Sequence, residues 1–389
     1  MLSKRVQSLS ESITIAISSK AKEMKAAGID VISFSAGEPD FDTPKAIKDA
    51  VKAALDKGCG KYTPVPGTPE ILNAIATKLK RDNGLEYKTT QIITNVGGKH
   101  SLFNIFSALI DNEDEVIIPA PYWVTYPEIV KYCGGKPVFV ETSEENGFKL
   151  TPQQLKDAIS SKTKILSLNY PSNPTGAIYT RAELEAIAKV LEGTNIIVIS
   201  DEIYEKLVFD GEFIAFASVS EDAFKRTVTI NGLSKCGAMP GWRFGYTASV
   251  MNDLNAAMKS LQSQSVSNIC SLVQAGAIPA LLGETEADIT HMNGEYKKRR
   301  DKAVRLINDI PGLSVIKPDG AFYLFVNCKA VEPDDMKFCQ KLLEDGKVAC
   351  VPGVGFGMGG YFRLSFATDL ESIKKGIERI REFVKNYQR

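Results

Sequence analysis

Six short runs rich in β-branched and aliphatic residues punctuate the first two thirds of the chain: VISFS at 31–35, QIIT at 91–94, EVIIP at 115–119, KILSL at 164–168, NIIVIS at 195–200 and RTVTI at 226–230. Stretches with helical spacing separate them. Short apolar strands alternating with helices belong to a parallel sheet covered on both faces, so the fold expected is α/β. From about residue 285 the character changes. A charged helical pattern, GEYKKRRDKAVRLIND, leads into GLSVIK, AFYLFV, KVACV and YFRLSFA, which read as strands of a smaller α/β layer joined by the N-terminal segment. At 389 residues the chain is long enough for two or three domains and a cleft between them. No fixed-period repeat, low-complexity tract or Pro-rich linker interrupts it.

Several function classes fall away on charge and cysteine usage. Forty-seven Lys and Arg balance 47 Asp and Glu, which leaves no overall field for a nucleic acid or an anionic membrane. No apolar run reaches the ~18 residues needed to span a bilayer. The seven cysteines are odd in number and contain no C-x-x-C pair, so neither a disulfide framework nor a zinc knuckle fits. The N-terminus lacks the apolar core and cleavage site of a secretory signal, and a cytoplasmic location is expected. His100 and His291 have no metal-ligand spacing, and no metal site is expected. Small-molecule chemistry is the class that remains.

Residues that could carry such chemistry collect just beyond the strands, the edge where open α/β sheets bind ligands. In NGLSKCGAMPGWRFGY, residues 231–246, Lys235 lies among small neighbours that would bury its stem and favour a neutral amine, with Ser234 and Arg243 suited to a phosphate. A lone lysine is more often a solvated surface residue. In SDEIYE, residues 200–205, Asp201 ends an apolar strand and could hold a protonated ring nitrogen, and Tyr204 offers a phenol. Capping of a helix starting at 202 explains Asp201 equally well. Adjacent strand positions point to opposite faces, so Asp201 and Glu202 do not form a carboxylate pair.

Gly97 and Gly98, between strand QIIT and a helical pattern, form an anion cradle of bare N–H groups, or only a connection. Lys99 sits in the first helical turn, where the helix dipole disfavours a cation unless an anion faces it. Asn173 in YPSNPTGA presents an amide from a turn, Trp123 in PAPYWVTYPE offers a flat face, and Arg363 lies within the apolar run YFRLSFA and wants a carboxylate. Turn formation and core packing are the bland readings of the first two. GFGMGG at 355–360 matches G-x-G-x-x-G, yet a strand follows where a dinucleotide site needs a helix. No G-x-S-x-G elbow is present, and the KKRR run at 297–300 reads as a solvated helix face.

Eight blocks in order, GEPDFDTP, YTPVPGTPE, GGK, PYWVTYPE, NPTG, SDEIYE, SK-x₃-MPGWRFGY and YFRLSFA, run through the chain. As a set they resemble the class I aminotransferases of pyridoxal phosphate (PLP) fold type I, nearest to the bacterial aspartate aminotransferase subgroup, from about Val6 to the C-terminus. The resemblance implies a large PLP-binding domain over 45–284 with a mostly parallel seven-stranded sheet. A small α/β domain is formed by 1–44 and 285–389. It also implies a cytoplasmic homodimer with shared active sites and reversible amino transfer from L-aspartate to 2-oxoglutarate, by a ping-pong route through a Schiff base on Lys235.

Carried over by position, Lys235, Asp201 and Tyr204 would be catalytic. Tyr62 (from the partner subunit), Gly97, Gly98, Trp123, Asn173, Ser234 and Arg243 would complete the cofactor site. Gly37, Asn173 and Arg363 would clamp the substrate α-carboxylate, and Lys99, with Trp123 beside it and help from Ser12 and Thr14, would meet the side-chain carboxylate. Pro240 stands where relatives have Thr, and Ser10 where prephenate-using relatives have Lys, which tells against that second activity. A broader or aromatic aminotransferase, or a β-lyase on the same scaffold, is the alternative. A PLP-sensing regulator would need a DNA-binding segment ahead of residue 37.

Overall fold

The computed structural model of the protein describes residues 2–10 and 13–387. Its strands, in chain order, are β1 Ile32–Ser33, β2 Ile92–Val96, β3 Glu115–Ala120, β4 Lys136–Glu141, β5 Thr163–Asn169, β6 Ile197–Asp201, β7 Thr227–Gly232, β8 Phe244–Ala248, β9 Tyr323–Asn327, β10 Val348–Ala349, β11 Val351–Pro352 and β12 Tyr361–Ser365. Seven of them form one sheet in the order β2-β8-β7-β6-β5-β3-β4. Strands β3 to β7 pair parallel, and β8 lies antiparallel between β7 and β2. Two inversions cancel, so β2 runs in the same direction as the parallel strands. This is the mostly parallel α/β architecture of fold type I that the resemblance implied.

The central strands are apolar throughout because both faces are covered. Ile165, Ile199, Val228 and Ile230 pack on one side with Leu102 and Phe106, from the helix Gly98–Leu109. Leu166, Leu168 and Val198, one residue out of phase, pack on the other with Leu184 and Ile187, from the helix Arg181–Leu191. Each such aliphatic side chain contributes about 1.5–3 kcal/mol by leaving water. The second helix starts at a reciprocal cap in which the Thr180 N–H donates to Glu183 Oε2 at 2.7 Å and the Glu183 N–H to Thr180 Oγ1 at 3.3 Å.

The remaining strands build two smaller sheets, antiparallel β11-β12-β9 and parallel β1-β10. Register Ile32↔Val348 and Ser33↔Ala349 ties the N-terminal segment to the C-terminal part of the chain. A second core unites Phe322, Leu324, Val326, Phe362 and Leu364 with Ile373, Ile377 and Ile380 of the helix Leu370–Lys385.

Three features depart from the sequence expectations. Strand β4, KPVFVE, carries no run of buried residues because it is the sheet edge, and Phe139 on it is half exposed. Strand β8, FGYTA, is not among the runs read from the sequence, since two of its five residues are Gly and Ala and its start falls within the motif that carries Lys235. The KKRR run is not simply a solvated face. Arg300 is fully buried, with Nη1 2.8 Å from Asp210 Oδ2 and 2.8 Å from the Pro318 carbonyl, while Nε donates to Asp301 Oδ1 at 2.9 Å. Helical spacing places the fourth residue of that run on the inner side. Among the described residues no helix is long and apolar enough to cross a membrane, and no group of three His, Cys, Asp or Glu side chains could hold a metal ion.

Candidate active site

Asp201 ends β6, Asn169 ends β5, and Gly97 and Gly98 follow β2, so all three connections open at one edge of the sheet. Lys235 lies three residues beyond the end of β7, in the crossing to β8. Arg363 reaches the same place from β12 of the small sheet. Between them is a cavity of about 350 Å³. Gly37, Gly98, Lys99, Trp123, Asn173, Asp201, Tyr204, Ser234, Lys235, Arg243 and Arg363, eleven of the fifteen residues expected there, line it.

Gly97 and Tyr62 do not line it. Gly97 stands directly behind the cavity wall at φ 77°, and a Cβ on it would fall 2.6 Å from Arg243 Nη2. The positive φ favours glycine there, and a side chain would also have to push the Arg243 guanidinium aside. Tyr62 is 92% exposed and reaches no part of the site in its own chain. Ser12 and the Thr14 side chain lie outside the described residues. Ser10 is exposed, and its backbone N–H donates to Glu128 Oε2 at 2.7 Å.

The Lys235 amine is enclosed and donates to the Gly37 carbonyl at 2.5 Å. Burial, helped by the positive charges of Arg363 and Arg243, lowers its pKa to about 8. Asp201 shows the complementary shift, pushed up to about 6 by burial. That rise is held back by the Tyr126 hydroxyl, which donates to Asp201 Oδ2 at 2.7 Å, by the Ile203 N–H at 3.3 Å, and by the nearby Lys235. The helix-cap reading of Asp201 does not hold, because residues 203–206 form a turn with no helix.

Arg363 is buried without an acidic partner among the described residues. Its Nη1 donates to Asn173 Oδ1 and its Nη2 to the Ser35 carbonyl, both at 2.9 Å, and Nε has no partner. The guanidinium carbon lies 4.4 Å from the Tyr323 ring centroid. A buried cation held only by neutral acceptors is stable chiefly when an anion completes it. Asn173 is oriented in turn by Asn169, whose Oδ1 accepts from the Asn173 N–H at 3.0 Å. Lys99 Nζ is 5.1 Å from the Trp123 ring centroid, and burial followed by repulsion from Arg243 lowers its pKa.

Sequence reasoning missed three contributors: Tyr126, Asn169 and Tyr323, whose hydroxyl is 2.8 Å from that of Tyr204. Tyr126 sits one helical turn from Trp123 in a motif already singled out, and Asn169 is the last residue of an apolar strand, so both carried a local signal. Tyr323, in AFYLFV, carried none.

The geometry is that of an enzyme in which a half-buried lysine, a buried acid and a helix N-terminus flanked by a guanidinium face one cavity. The family model for aminotransferase class I and II matches residues 29–380, and the chain belongs to that family of transaminases. Over its full length it is similar to "Aspartate aminotransferase" of Bacillus subtilis (strain 168), at 49% identity with 99% of each chain covered. A "Probable aspartate/prephenate aminotransferase" of Aquifex aeolicus is 45% identical, with 98% of each covered. Among solved structures, the Thermus thermophilus aspartate aminotransferase with maleate aligns with TM-score 0.95 at 40% identity, covering 98% of this chain and 99% of that one.

Proposed function

We propose that the chain is an aspartate aminotransferase that uses pyridoxal 5′-phosphate. Lys235 is the amine that holds the cofactor, and the reaction exchanges amino groups between L-aspartate and 2-oxoglutarate in two half-reactions. The observation that carries this reading is the meeting of an enclosed amine, Lys235, with Asp201 and an acid-free Arg363 in one cavity.

The residues present fit such a cofactor. Gly98 at the start of a helix, with Ser234 and Arg243, offers a phosphate a backbone N–H, a hydroxyl and a guanidinium, while the Gly97 N–H is taken by the Asn95 carbonyl at 2.7 Å. Tyr62 of the partner subunit would complete that clasp, and its exposure here supports a homodimer with shared sites. Asp201 would face the ring nitrogen and favour its protonated form, while Tyr204 and Asn173 would donate to the ring hydroxyl oxygen. Trp123 would cover one face of the ring. When bound, the cofactor supplies an electron sink for the carbanion left at the substrate Cα.

Arg363 would then take the substrate α-carboxylate in its planar fork, oriented by Asn173 and the Ser35 carbonyl, with the Gly37 backbone alongside. Lys235 Nζ would accept the Cα proton and hold it for return, a task that a pKa of about 8 suits. Lys99, backed by Trp123, would meet the side-chain carboxylate, which accounts for a cation in the first turn of a helix. The large domain over 45–284 and the small one, 1–44 with 285–389, are proposed as the two bodies that enclose this cavity. Seven free cysteines support a reducing, cytoplasmic setting.

The test is the absorption spectrum of the purified protein. A visible band is expected that bleaches on addition of aspartate and returns with 2-oxoglutarate. A colourless protein after PLP supplementation, or a band indifferent to dicarboxylic amino acids but bleached by phenylalanine, would overturn the cofactor or the aspartate assignment respectively.

A further inference from the structure

Two hydroxyls meet where the large sheet faces the small one. Tyr204, on the turn after β6, and Tyr323, the first residue of β9, are both buried, and their oxygens are 2.8 Å apart. A phenol has one proton to give and room to accept. If Tyr323 donates, the Tyr204 proton is free for the cavity. The same Tyr323 ring lies under the Arg363 guanidinium at 4.4 Å. Pairing Ser365↔Tyr323 and Arg363↔Phe325 between β12 and β9 puts Arg363 and Tyr323 diagonally on one face of the small sheet. Gly37 completes the arrangement. A Cβ there would sit 3.3 Å from the Tyr323 hydroxyl, so a bare backbone at 37 leaves space for Tyr323 while its carbonyl receives Lys235.

We propose that Tyr323 is a positioning residue for the transamination site: its hydroxyl donates to Tyr204 and aims the Tyr204 proton at the cofactor's ring oxygen, while its ring face supports the Arg363 guanidinium. This rests on the cofactor reading above and deepens it. One side chain then joins the group that sets the ring's charge to the group that grips the substrate carboxylate. The charged and titratable groups facing the pair are Arg363, Asp201 and Lys235, with the Lys235 amine 5.6 Å from the Tyr204 ring centroid. Asp201, which accepts from Tyr126, has no proton to offer as a carboxylate, the Lys235 amine donates to the Gly37 carbonyl, and Arg363 donates to Asn173 and to the Ser35 carbonyl.

Tyr323→Phe, Tyr204→Phe and the double variant, all cofactor-loaded, test it through the pH midpoint of the visible absorption band and through KM for aspartate. A hydrogen bond to the anionic ring oxygen favours the anion, so weakening it raises the midpoint. Tyr323→Phe is expected to raise the midpoint by about half a unit, Tyr204→Phe by more, and the double variant by no more than Tyr204→Phe alone. KM for aspartate should stay within roughly threefold in Tyr323→Phe, which keeps the ring, and rise about tenfold in Tyr323→Leu, which removes it. An unmoved midpoint in Tyr323→Phe, or an equal shift in the Tyr204→Phe background, overturns the relay, and an unchanged KM in folded Tyr323→Leu overturns the support. The two Phe variants decide the relay even if Tyr323→Leu does not fold. A wild-type protein with no visible band overturns the cofactor reading itself, and the relay with it.

Discussion

The Tyr126 hydroxyl donates to Asp201 Oδ2 at 2.7 Å, and both groups are buried. A carboxylate out of water drifts towards its neutral form, and this donor opposes the drift. Removing it in Tyr126→Phe should leave Asp201 protonated over more of the working pH range. A hydrogen bond to a charged group contributes roughly 1.5–3 kcal/mol, so kcat/KM for aspartate is expected to fall about 10- to 100-fold at pH 7. Steady-state kinetics check this, and a variant within twofold of wild type would remove Tyr126 from any supporting role.

Capture of the cofactor by the apoprotein should report the Lys235 amine directly. Only the neutral amine attacks a carbonyl, and burial has lowered its pKa from 10.5 to about 8. The capture rate should rise with pH to about 8 and then level off. An ordinary lysine would keep gaining about tenfold per pH unit to near 10.4. Stopped-flow absorbance distinguishes the two, and a rate still climbing steeply at pH 9.5 contradicts the shift.

Lys99→Leu should divide substrates by charge. Losing the cation in front of Trp123 removes a charge-assisted contact to a side-chain carboxylate, so kcat/KM for aspartate should drop by roughly 10- to 100-fold. Phenylalanine, with no such carboxylate, should be turned over as well as before or better. Equal losses for both substrates would mean that Lys99 serves the cofactor or the fold.

Glu202 makes a prediction about stability. It is fully buried, accepts from the Ser200 hydroxyl at 2.8 Å, and has its pKa raised to about 8, by burial first and by the charge of Glu205 second. The folded state therefore holds a proton that the unfolded chain, with an ordinary value of 4.5, has released. Stability falls as pH rises through that window, and the full cost is present above pH 8. Glu202→Gln, which cannot ionise, should gain on wild type across the same range, by at least about 1.4 kcal/mol at pH 9 relative to pH 5. Thermal melts at the two pH values test the sign.

Legibility followed sequence distance. The strands carrying Asp201, Asn169 and Gly97 announced themselves by apolar runs ending in a polar or glycine residue, and the cavity was expected at their ends. Arg363 was readable because a charge inside an apolar strand needs a partner. Tyr323 acts on a residue 119 positions away, and nothing local says which of many aromatic residues will meet it. Strand β4 escaped because an edge strand needs no apolar run, and Arg300 because its partner Asp210 is brought to it by folding alone.

The pleat of β6 has one more consequence. Ser200 and Glu202 turn to the sealed interior, whereas Asp201 between them turns to the cavity. Deleting or inserting a single residue upstream within that strand would exchange the two acids, delivering a proton-holding glutamic acid to the ligand and stranding the aspartate in a dry compartment. The reading frame of this one strand therefore admits changes only in steps of two.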